Sequence, residues 1–157
     1  MEENIAILMA DLSGYSALTE THGAASAADL IYKYLDIVQG CLVGDCELKE
    51  RTGDEVMIVS SSSDFLLHTA VMSMKNTSEE ESFLQVHGGL HYGKILKRNG
   101  SYFGLTINLS SRIASNATPG TFWCSEDFIA ASLINLCIRL NQKEGIVLRT
   151  LAMIWEW

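Results

Sequence analysis

The chain has 157 residues, of which 48% are hydrophobic and 19% charged, a balance typical of one globular domain that excludes a disordered chain. Its net charge of −8 argues against nucleic acid as a partner and implies that any anionic ligand needs bound cations. No apolar run reaches the roughly 18 residues of a membrane span and no segment has the pattern of a signal peptide, which predicts a cytoplasmic protein without a membrane contact. The cysteines form no Cys-x-x-Cys pair, so we expect them to be reduced and not to bind zinc.

The first half of the chain predicts a strand, a helix, a hairpin and a second helix. Short apolar runs ended by polar residues indicate buried strands, while apolar residues three and four apart indicate helices. Ser13 is placed to cap the first helix. The predicted elements are a strand over 4–11, a helix from Ala24 to Val43, strands over 46–52 and 55–60 around a Gly53-Asp54 turn, and a helix from Ser62 or Ser63 to about Lys75.

The second half predicts further units of the same kind. They are a strand from Phe83 to Tyr92, a hairpin loop over Lys97 to Gly100, a helix from Gly104 to Asn116, a strand from Thr121 to Cys124, a helix from Glu126 to Leu133 and two final strands. Two βαβ pieces split by antiparallel pairing predict an α+β, ferredoxin-like (βαββαβ) sheet, mostly antiparallel, with helices packed on one face. No linker or repeat divides residues 1–157, so we expect one domain.

Two aspartates stand where this fold would place them together. Asp11 ends the first strand and Asp54 lies in the hairpin turn, and each alone has an ordinary explanation as a cap or turn residue. The first strand and the hairpin are neighbours in the predicted sheet, which brings both carboxylates to one rim. Two ionised carboxylates at close range repel unless a divalent cation lies between them, and Mg²⁺ and Mn²⁺ prefer such oxygen ligands.

Asn108 and Arg112 are four residues apart on a predicted helix and therefore project from one face. They form either an exposed polar face or a pair that holds a ribose and neutralises phosphate charge, a task that suits the planar donors of arginine. The segment Ser13-Gly14-Tyr15 precedes the first helix, where backbone N–H groups face an anion docked there.

Four segments of the chain carry a common pattern. They read ILMADLSGYSALTE, ERTGDEVMIVS, VHGGLHYGKIL and SYFGLTINLSSRIASNATPGTFWCS, and they span about residues 5–125. In this order they resemble the strand ending in Asp, the Gly-Asp hairpin, the Gly-Ile-His-x-Gly strand and the Phe-Gly-x-x-Val-Asn-x-x-x-Arg helix of the class III adenylyl and guanylyl cyclase catalytic domains. Any one segment is a weak match, whereas four in register are specific.

The resemblance implies roles for particular residues. Asp11 and Asp54 match the family's two metal-binding aspartates, and Leu12 matches the position that lends a backbone carbonyl to one of two Mg²⁺ or Mn²⁺ ions. Asn108 and Arg112 match the pair that acts in the transition state. The implied assembly is a head-to-tail homodimer in which each site takes its aspartates from one chain and its Asn/Arg helix from the other.

The residues that select the base in this family leave GTP and ATP both open. The position four residues before the Gly-Asp aspartate is Lys in adenylyl and Glu in guanylyl cyclases, and here it is Glu50. Lys49 is adjacent, but successive strand side chains point to opposite faces, so we expect it to replace Glu50 only after a register slip. The partner position is Ser101, whose hydroxyl both donates and accepts and therefore decides little.

Other positions are less well matched. Arg149 falls about where the family has a lysine for the terminal phosphates, although a plain surface role is equally consistent. The dimerisation arm, Lys94 to Gly100, is short. His87 and His91 lie on a glycine-broken strand and are expected to have packing roles rather than to bind zinc.

Three functions from different classes remain open at this point. The first is an active cyclase that converts a nucleoside triphosphate, GTP or ATP, into a 3′,5′-cyclic nucleotide and pyrophosphate. The second is a cyclase-like regulatory module that binds a nucleotide or pairs with another chain without turnover. The third is an unrelated ferredoxin-like binding protein, which would bind no triphosphate in the presence of Mg²⁺ or Mn²⁺.

Overall fold

The computed structural model describes residues 2–132. Its elements are β1 (Glu2–Leu12), α1 (Tyr15–Cys41), β2 (Glu47–Thr52), β3 (Glu55–Ser60), α2 (Ser63–Ser78), β4 (Val86–Arg98), β5 (Ser101–Phe103), α3 (Leu105–Asn116), β6 (Phe122–Cys124) and α4 (Glu126–Ala130). The predicted α+β class is confirmed. The two final strands of the sequence analysis lie outside the described residues.

The described strands form one sheet in the order β2-β3-β1-β4-β5, and β6 pairs with β4. Every pairing is antiparallel except that of β4 with β6. The central strand β1 has the longest apolar run of the sheet because it is covered on both faces, and six consecutive residues from Ile5 to Ala10 are buried. β2 and β5 therefore lie at opposite edges of this path.

Alternate residues of β1 enter two separate cores. Ala6, Leu8, Ala10 and Leu12 pack with α1, α2 and α4 on one side of the sheet. Ile5, Ile7 and Met9 pack with α3 on the other side. We call this second side the α3 face; its buried strand residues are Ile5, Ile7, Met9, Met57, Val59 and Ile95.

The expectation that all helices cover one face of the sheet is therefore wrong for α3. A glycine in β4 explains how α3 comes so close to the strand. A Cβ atom on Gly89 would lie 2.5 Å from the Ala114 nitrogen and 2.6 Å from the Ser110 oxygen, so only glycine permits this approach. Ser110 and Ala114 are correspondingly buried.

Helix α1 begins earlier than predicted. It runs from Tyr15 and is interrupted at Gly23, whose φ of 86° and ψ of 168° are not helical. The predicted start at Ala24 is thus the start of the second, longer segment. The helix after Gly14 is not capped by Ser13: the N-cap is Gly14, and no side chain accepts a capping hydrogen bond there.

Candidate active site

The structure brings Asp11 and Asp54 together at one rim of the sheet. β1 pairs with β3 in a register that sets Ala10 opposite Val56, which places the end of β1 beside the β2–β3 turn. That turn is tight because Gly53 has a φ of 59°, a conformation that favours glycine. The Leu12 backbone N–H donates to Asp54 Oδ2 at 3.1 Å, which fixes the Asp54 carboxylate next to the residue that follows Asp11.

The rim is electrostatically unfavourable for its own carboxylates. Burial raises the pKa of Asp11, His87 opposes that rise, and the charge of Asp54 adds to it. The pKa of Glu55 is also raised, by burial and then by the charges of Asp11 and Asp54. Asp11 Oδ1 is buried and has no hydrogen-bond partner within residues 2–132. A divalent cation would satisfy this oxygen and offset the repulsion.

The oxygen donors at this rim fit Mg²⁺ or Mn²⁺ rather than zinc. Two aspartates and a backbone carbonyl at Leu12 are hard ligands of the type that these ions bind, with water completing the shell. Across the described ranges, no group of three or more His, Cys, Asp or Glu side chains is arranged to hold a metal ion. Among residues 2–132, any ion here would thus depend on the two aspartates and the Leu12 carbonyl.

Sequence reasoning missed two residues next to the aspartates. His87 is directly opposite Asp11 in the β1–β4 register, and its Nε2 lies 3.9 Å from Asp11 Oδ2. The His87 Nδ1 is 2.9 Å from the Ala114 carbonyl oxygen, so this side chain connects the rim to α3. Tyr34 is buried in α1, and burial followed by the charges of Asp11 and Asp54 raises its pKa. Only the strand register identifies His87, while Tyr34 resembles any apolar position of its helix.

The second histidine has the packing role expected of it. His91 is buried, and its Nδ1 lies 2.6 Å from Ser125 Oγ. The same hydroxyl accepts from the Phe128 backbone N–H as the N-cap of α4. Burial lowers the pKa of His91, an effect that the charge of Asp127 opposes. The His91 side chain, favoured in its neutral form by this shift, thus connects β4 to the N-terminus of α4 through Ser125.

The loop predicted to meet phosphate is built differently from the expectation. The Ser13 N–H donates to the Gln85 carbonyl oxygen at 2.8 Å and is therefore not free for an anion. Its hydroxyl is buried and has no partner in the described part of the chain. Gly14 has a φ of 82°. The Leu18 N–H donates to the Gly14 carbonyl oxygen in the first helical hydrogen bond, so the amides of the residues between Gly14 and Leu18 have no acceptor within the helix.

Asn108 and Arg112 lie on the exposed side of α3, opposite its buried residues Thr106, Ser110 and Ala114. The Arg112 guanidinium forms no ion pair with any residue that the structure describes, and neither side chain bonds to Asp11 or Asp54. One chain therefore does not bring the four residues into contact. Among residues 2–132, neither side chain has a partner, so both are available to bind other groups.

The structure describes two of the three remaining predicted site positions, Glu50 and Ser101. The backbone of Glu50 is in register with Met57, and the β2–β3 register shifts between Leu48 and Glu50, which marks a β-bulge there. The expected alternation of side chains along β2 is thus broken between Lys49 and Glu50. Ser101 opens β5 and is exposed. Arg149 lies outside the described residues.

Comparisons with known proteins agree with this architecture. An uncharacterized protein of Mycobacterium tuberculosis is 38% identical over 112 residues, which are 71% of this chain and 30% of that protein. An adenylate cyclase of Glutamicibacter nicotianae is 29% identical over 117 residues, or 74% of this chain and 29% of its own length. No family model matches the chain.

The solved structures give the same result. The monomeric guanylyl cyclase domain of the RhoGC fusion protein from Blastocladiella emersonii superposes with a TM-score of 0.73 at 17% identity, covering 87% of this chain and 88% of that one. The chain spans only about 30% of the length of the curated relatives it matches. No helix within residues 2–132 is long and apolar enough to cross a membrane. The chain therefore has the fold of the adenylyl and guanylyl cyclase catalytic domains and is similar to adenylate cyclases in sequence, which confirms the resemblance of its four motifs.

Proposed function

We propose that the chain is a nucleotidyl cyclase domain that converts a nucleoside triphosphate into a 3′,5′-cyclic nucleotide and pyrophosphate. The observation that carries the proposal is the rim where Asp54 is fixed by the Leu12 N–H while a buried oxygen of Asp11 has no partner in the described part. A buried carboxylate oxygen without a hydrogen-bond partner is stabilised by a bound cation. A triphosphate needs the same cations to approach a chain of net charge −8.

Two divalent ions, Mg²⁺ or Mn²⁺, would be held by Asp11, Asp54 and the Leu12 carbonyl. Such ions would lower the pKa of the ribose 3′ hydroxyl and neutralise charge on the triphosphate. The Leu12 N–H donates to Asp54 Oδ2 and thereby holds the Asp54 carboxylate beside the residue that follows Asp11. In the reaction, the 3′ hydroxyl would release its proton to solvent and its oxygen would form a bond to the α-phosphorus, while the bond from that phosphorus to the oxygen bridging to the β-phosphate breaks and pyrophosphate leaves.

A second copy of the chain would supply Asn108 and Arg112. Both residues are exposed and unpaired within residues 2–132, and they lie near an apolar patch on β5 and α3 that the described residues leave exposed. The patch consists of Phe103, Leu105 and Leu109, with 51%, 75% and 37% of each residue exposed. Because an exposed apolar patch next to unused functional groups is typical of an interface, a head-to-tail homodimer with composite sites accounts for both. Arg112 would then meet the charge that develops on the α-phosphate, and Asn108 would orient the ribose.

The proposal is tested by incubating the purified chain with Mn²⁺ and either ATP or GTP and separating the products. We expect one cyclic nucleotide and an equal amount of pyrophosphate, and we expect Asp54→Asn to reduce the rate by at least about 100-fold because a metal ligand is lost. The matched control is Lys33→Gln on α1, which removes an exposed ion pair with Glu80 and should keep the wild-type rate. Tight nucleotide binding without any product would instead favour the regulatory module.

A further inference from the structure

His87 stands beside Asp11 at the rim that the proposed function assigns to metal ions. Met9, two residues before Asp11, belongs to the α3 face, so Asp11 projects to that side of the sheet as well. The β1–β4 register sets His87 directly opposite Asp11 and therefore on the same side. Only 17% of the His87 side chain and 27% of the Asp11 side chain are exposed. The imidazole thus lies among the groups that would surround an ion.

The Ala114 carbonyl determines which imidazole nitrogen carries a hydrogen. His87 Nδ1 lies 2.9 Å from that carbonyl oxygen, and a carbonyl only accepts, so Nδ1 is the donor. The carbonyl belongs to the last turn of α3, where it also accepts from the Ala117 N–H at 3.2 Å. In the neutral imidazole, Nε2 then holds a lone pair. A histidine oriented in this way by a backbone carbonyl has the usual form of a metal ligand.

The distance from Nε2 to Asp11 matches a metal bridge better than a hydrogen bond. His87 Nε2 and Asp11 Oδ2 are 3.9 Å apart, which is beyond hydrogen-bond range. Two ligands of one ion at bond lengths of about 2.1 Å lie roughly 3 to 4.2 Å apart. An ion could therefore bind both atoms without a movement of either side chain.

The packing of α3 holds the imidazole in this position. The carbonyl that accepts from Nδ1 is close to β4 because Gly89 permits the approach of the α3 backbone: a Cβ atom on Gly89 would lie 2.5 Å from the Ala114 nitrogen. A ligand whose second nitrogen is fixed by such a contact needs little reorganisation when an ion binds. Nε2 is thus held towards Asp11 before any metal is present.

The two oxygens of Asp11 have different surroundings. Oδ1 is buried without a partner in the described part of the chain, whereas Oδ2 faces His87. Because the proposed function needs two ions, a carboxylate that bridges them would leave Oδ2 and Nε2 to one ion. In the described ranges no three His, Cys, Asp or Glu side chains converge to hold an ion, so this ion would complete its shell with water and triphosphate oxygens.

We propose that His87 Nε2 is a ligand of the ion that binds Asp11 Oδ2, and that it makes the site favour Mn²⁺ over Mg²⁺. Mg²⁺ keeps to oxygen ligands and gives up water reluctantly, whereas a transition-metal ion gains from an imidazole nitrogen. The carboxylate oxygens keep the site suitable for Mn²⁺. This inference rests on the proposed function and deepens it, because it names the preferred ion and a further residue that holds it.

The test measures binding of Mn²⁺ alone to the full chain by electron paramagnetic resonance, with Mg²⁺ as a competitor. Spin-echo spectra of the bound Mn²⁺ should show coupling to a nitrogen nucleus. His87→Asn can still donate to the Ala114 carbonyl, since its amide nitrogen is bonded to Cγ as Nδ1 is, but it lacks Nε2. We expect this variant to lose the coupling and to weaken Mn²⁺ binding by about tenfold, while Mg²⁺ binding changes by less than about threefold.

Two further variants separate a lost ligand from a damaged fold. His87→Gln brings an amide oxygen near the position of Nε2, so Mg²⁺ binding should persist while the nitrogen coupling disappears. His22→Gln is the matched control, because His22 is an exposed histidine on α1 whose Nδ1 lies 2.8 Å from Thr21 Oγ1. It should leave the coupling and both affinities unchanged.

Bound Mn²⁺ without nitrogen coupling in the wild type overturns the inference, as does a coupling that His22→Gln removes. Tighter Mn²⁺ binding in His87→Asn, at a wild-type melting temperature, overturns it as well and makes His87 a counter-ion of Asp11 that competes with the metal. Failure of the cyclase proposal is distinguishable, because nitrogen-coupled Mn²⁺ without any cyclic product from ATP or GTP contradicts that proposal alone. Absence of Mn²⁺ binding contradicts both.

Discussion

At the scale of single residues, the surroundings of Asp11 support the proposal that this rim binds a cation and is more than an ordinary turn. One of its oxygens is buried without a partner in the described part, and the other faces His87 at 3.9 Å. The folded chain thus gives up stability to keep a carboxylate there, since burial and Asp54 both disfavour its charge. A functional role explains this loss of stability, because a bound cation would offset the repulsion and the burial of the charged carboxylate.

Asp11→Asn is therefore expected to have opposite effects without and with metal. The folded-state pKa of Asp11 is raised, so its contribution to stability is largest below its ordinary pKa and is lost as the pH rises through the folded value. At pH 7 without metal, the neutral Asn should raise the melting temperature by about 3 °C, or about 1 kcal/mol. With Mn²⁺, the wild type should gain stability and the variant should not. Equal Mn²⁺ effects in thermal melts of the two proteins would contradict a metal site at Asp11.

The stability contributed by Asp45 is expected to depend on pH in the opposite direction to that of Asp11. It accepts hydrogen bonds from the Ser60 and Ser61 hydroxyls and from the Ser61 N–H, and these bonds lower its pKa although burial alone would raise it. Its contribution is present above the ordinary pKa and is lost as the pH falls through the folded value. In urea melts, the free energy of unfolding of the wild type should fall relative to that of Asp45→Asn as the pH is lowered from about 5 to about 2. Above that range, the difference between the two free energies should be constant. A difference that is the same at every pH would refute the assignment.

At the scale of elements, the closeness of α3 to β4 decides where Asn108 and Arg112 project. The buried residues of α3 face the sheet at Gly89, which turns the opposite side of the helix, with its functional pair, to the outside. His87 strengthens this contact through the Ala114 carbonyl. A change that moves α3 away from β4 should thus reduce both stability and activity.

Gly89→Ala tests this packing. Its Cβ would lie 2.5 Å from the Ala114 nitrogen, so α3 must shift, at an expected cost of about 1–3 kcal/mol. Gly40→Ala, within α1, meets no atom within 4 Å and should stabilise the chain by about 0.5–1 kcal/mol. Urea unfolding measures both. The packing account would be wrong if the two substitutions had similar effects.

The sequence predicted the elements better than it predicted their arrangement. The bounds of β2 and β3 follow from two short runs around a Gly-Asp turn, a local pattern, and agree with the structure to about one residue. The position of α3 on the second face depends on Gly89, whose contact with Ser110 and Ala114 is distant in sequence. The bulge before Glu50 likewise has no local signal, because a one-residue shift leaves the composition of β2 unchanged. The motifs predicted which residues cluster at the rim, while His87 required the strand register.

At the scale of the whole molecule, the proposed function requires two groups of residues that do not contact each other within one chain. The acids lie at the end of β1 and the β2–β3 turn, whereas Asn108 and Arg112 project from α3 on the other side of the sheet. Head-to-tail pairing of two copies would convert these groups into two complete sites. The rim and the α3 pair are thus expected to depend on each other only across the interface.

The most direct measurement mixes two inactive variants, Asp54→Ala and Arg112→Ala, in equal amounts. In a composite dimer, each mixed pair contains one site with both defects and one site with neither. If pairing is random, half of the dimers are mixed, so the mixture should recover about a quarter of the wild-type cyclase activity. Activity no greater than that of the separate variants, with dimers present in both samples, would contradict a site shared between two chains.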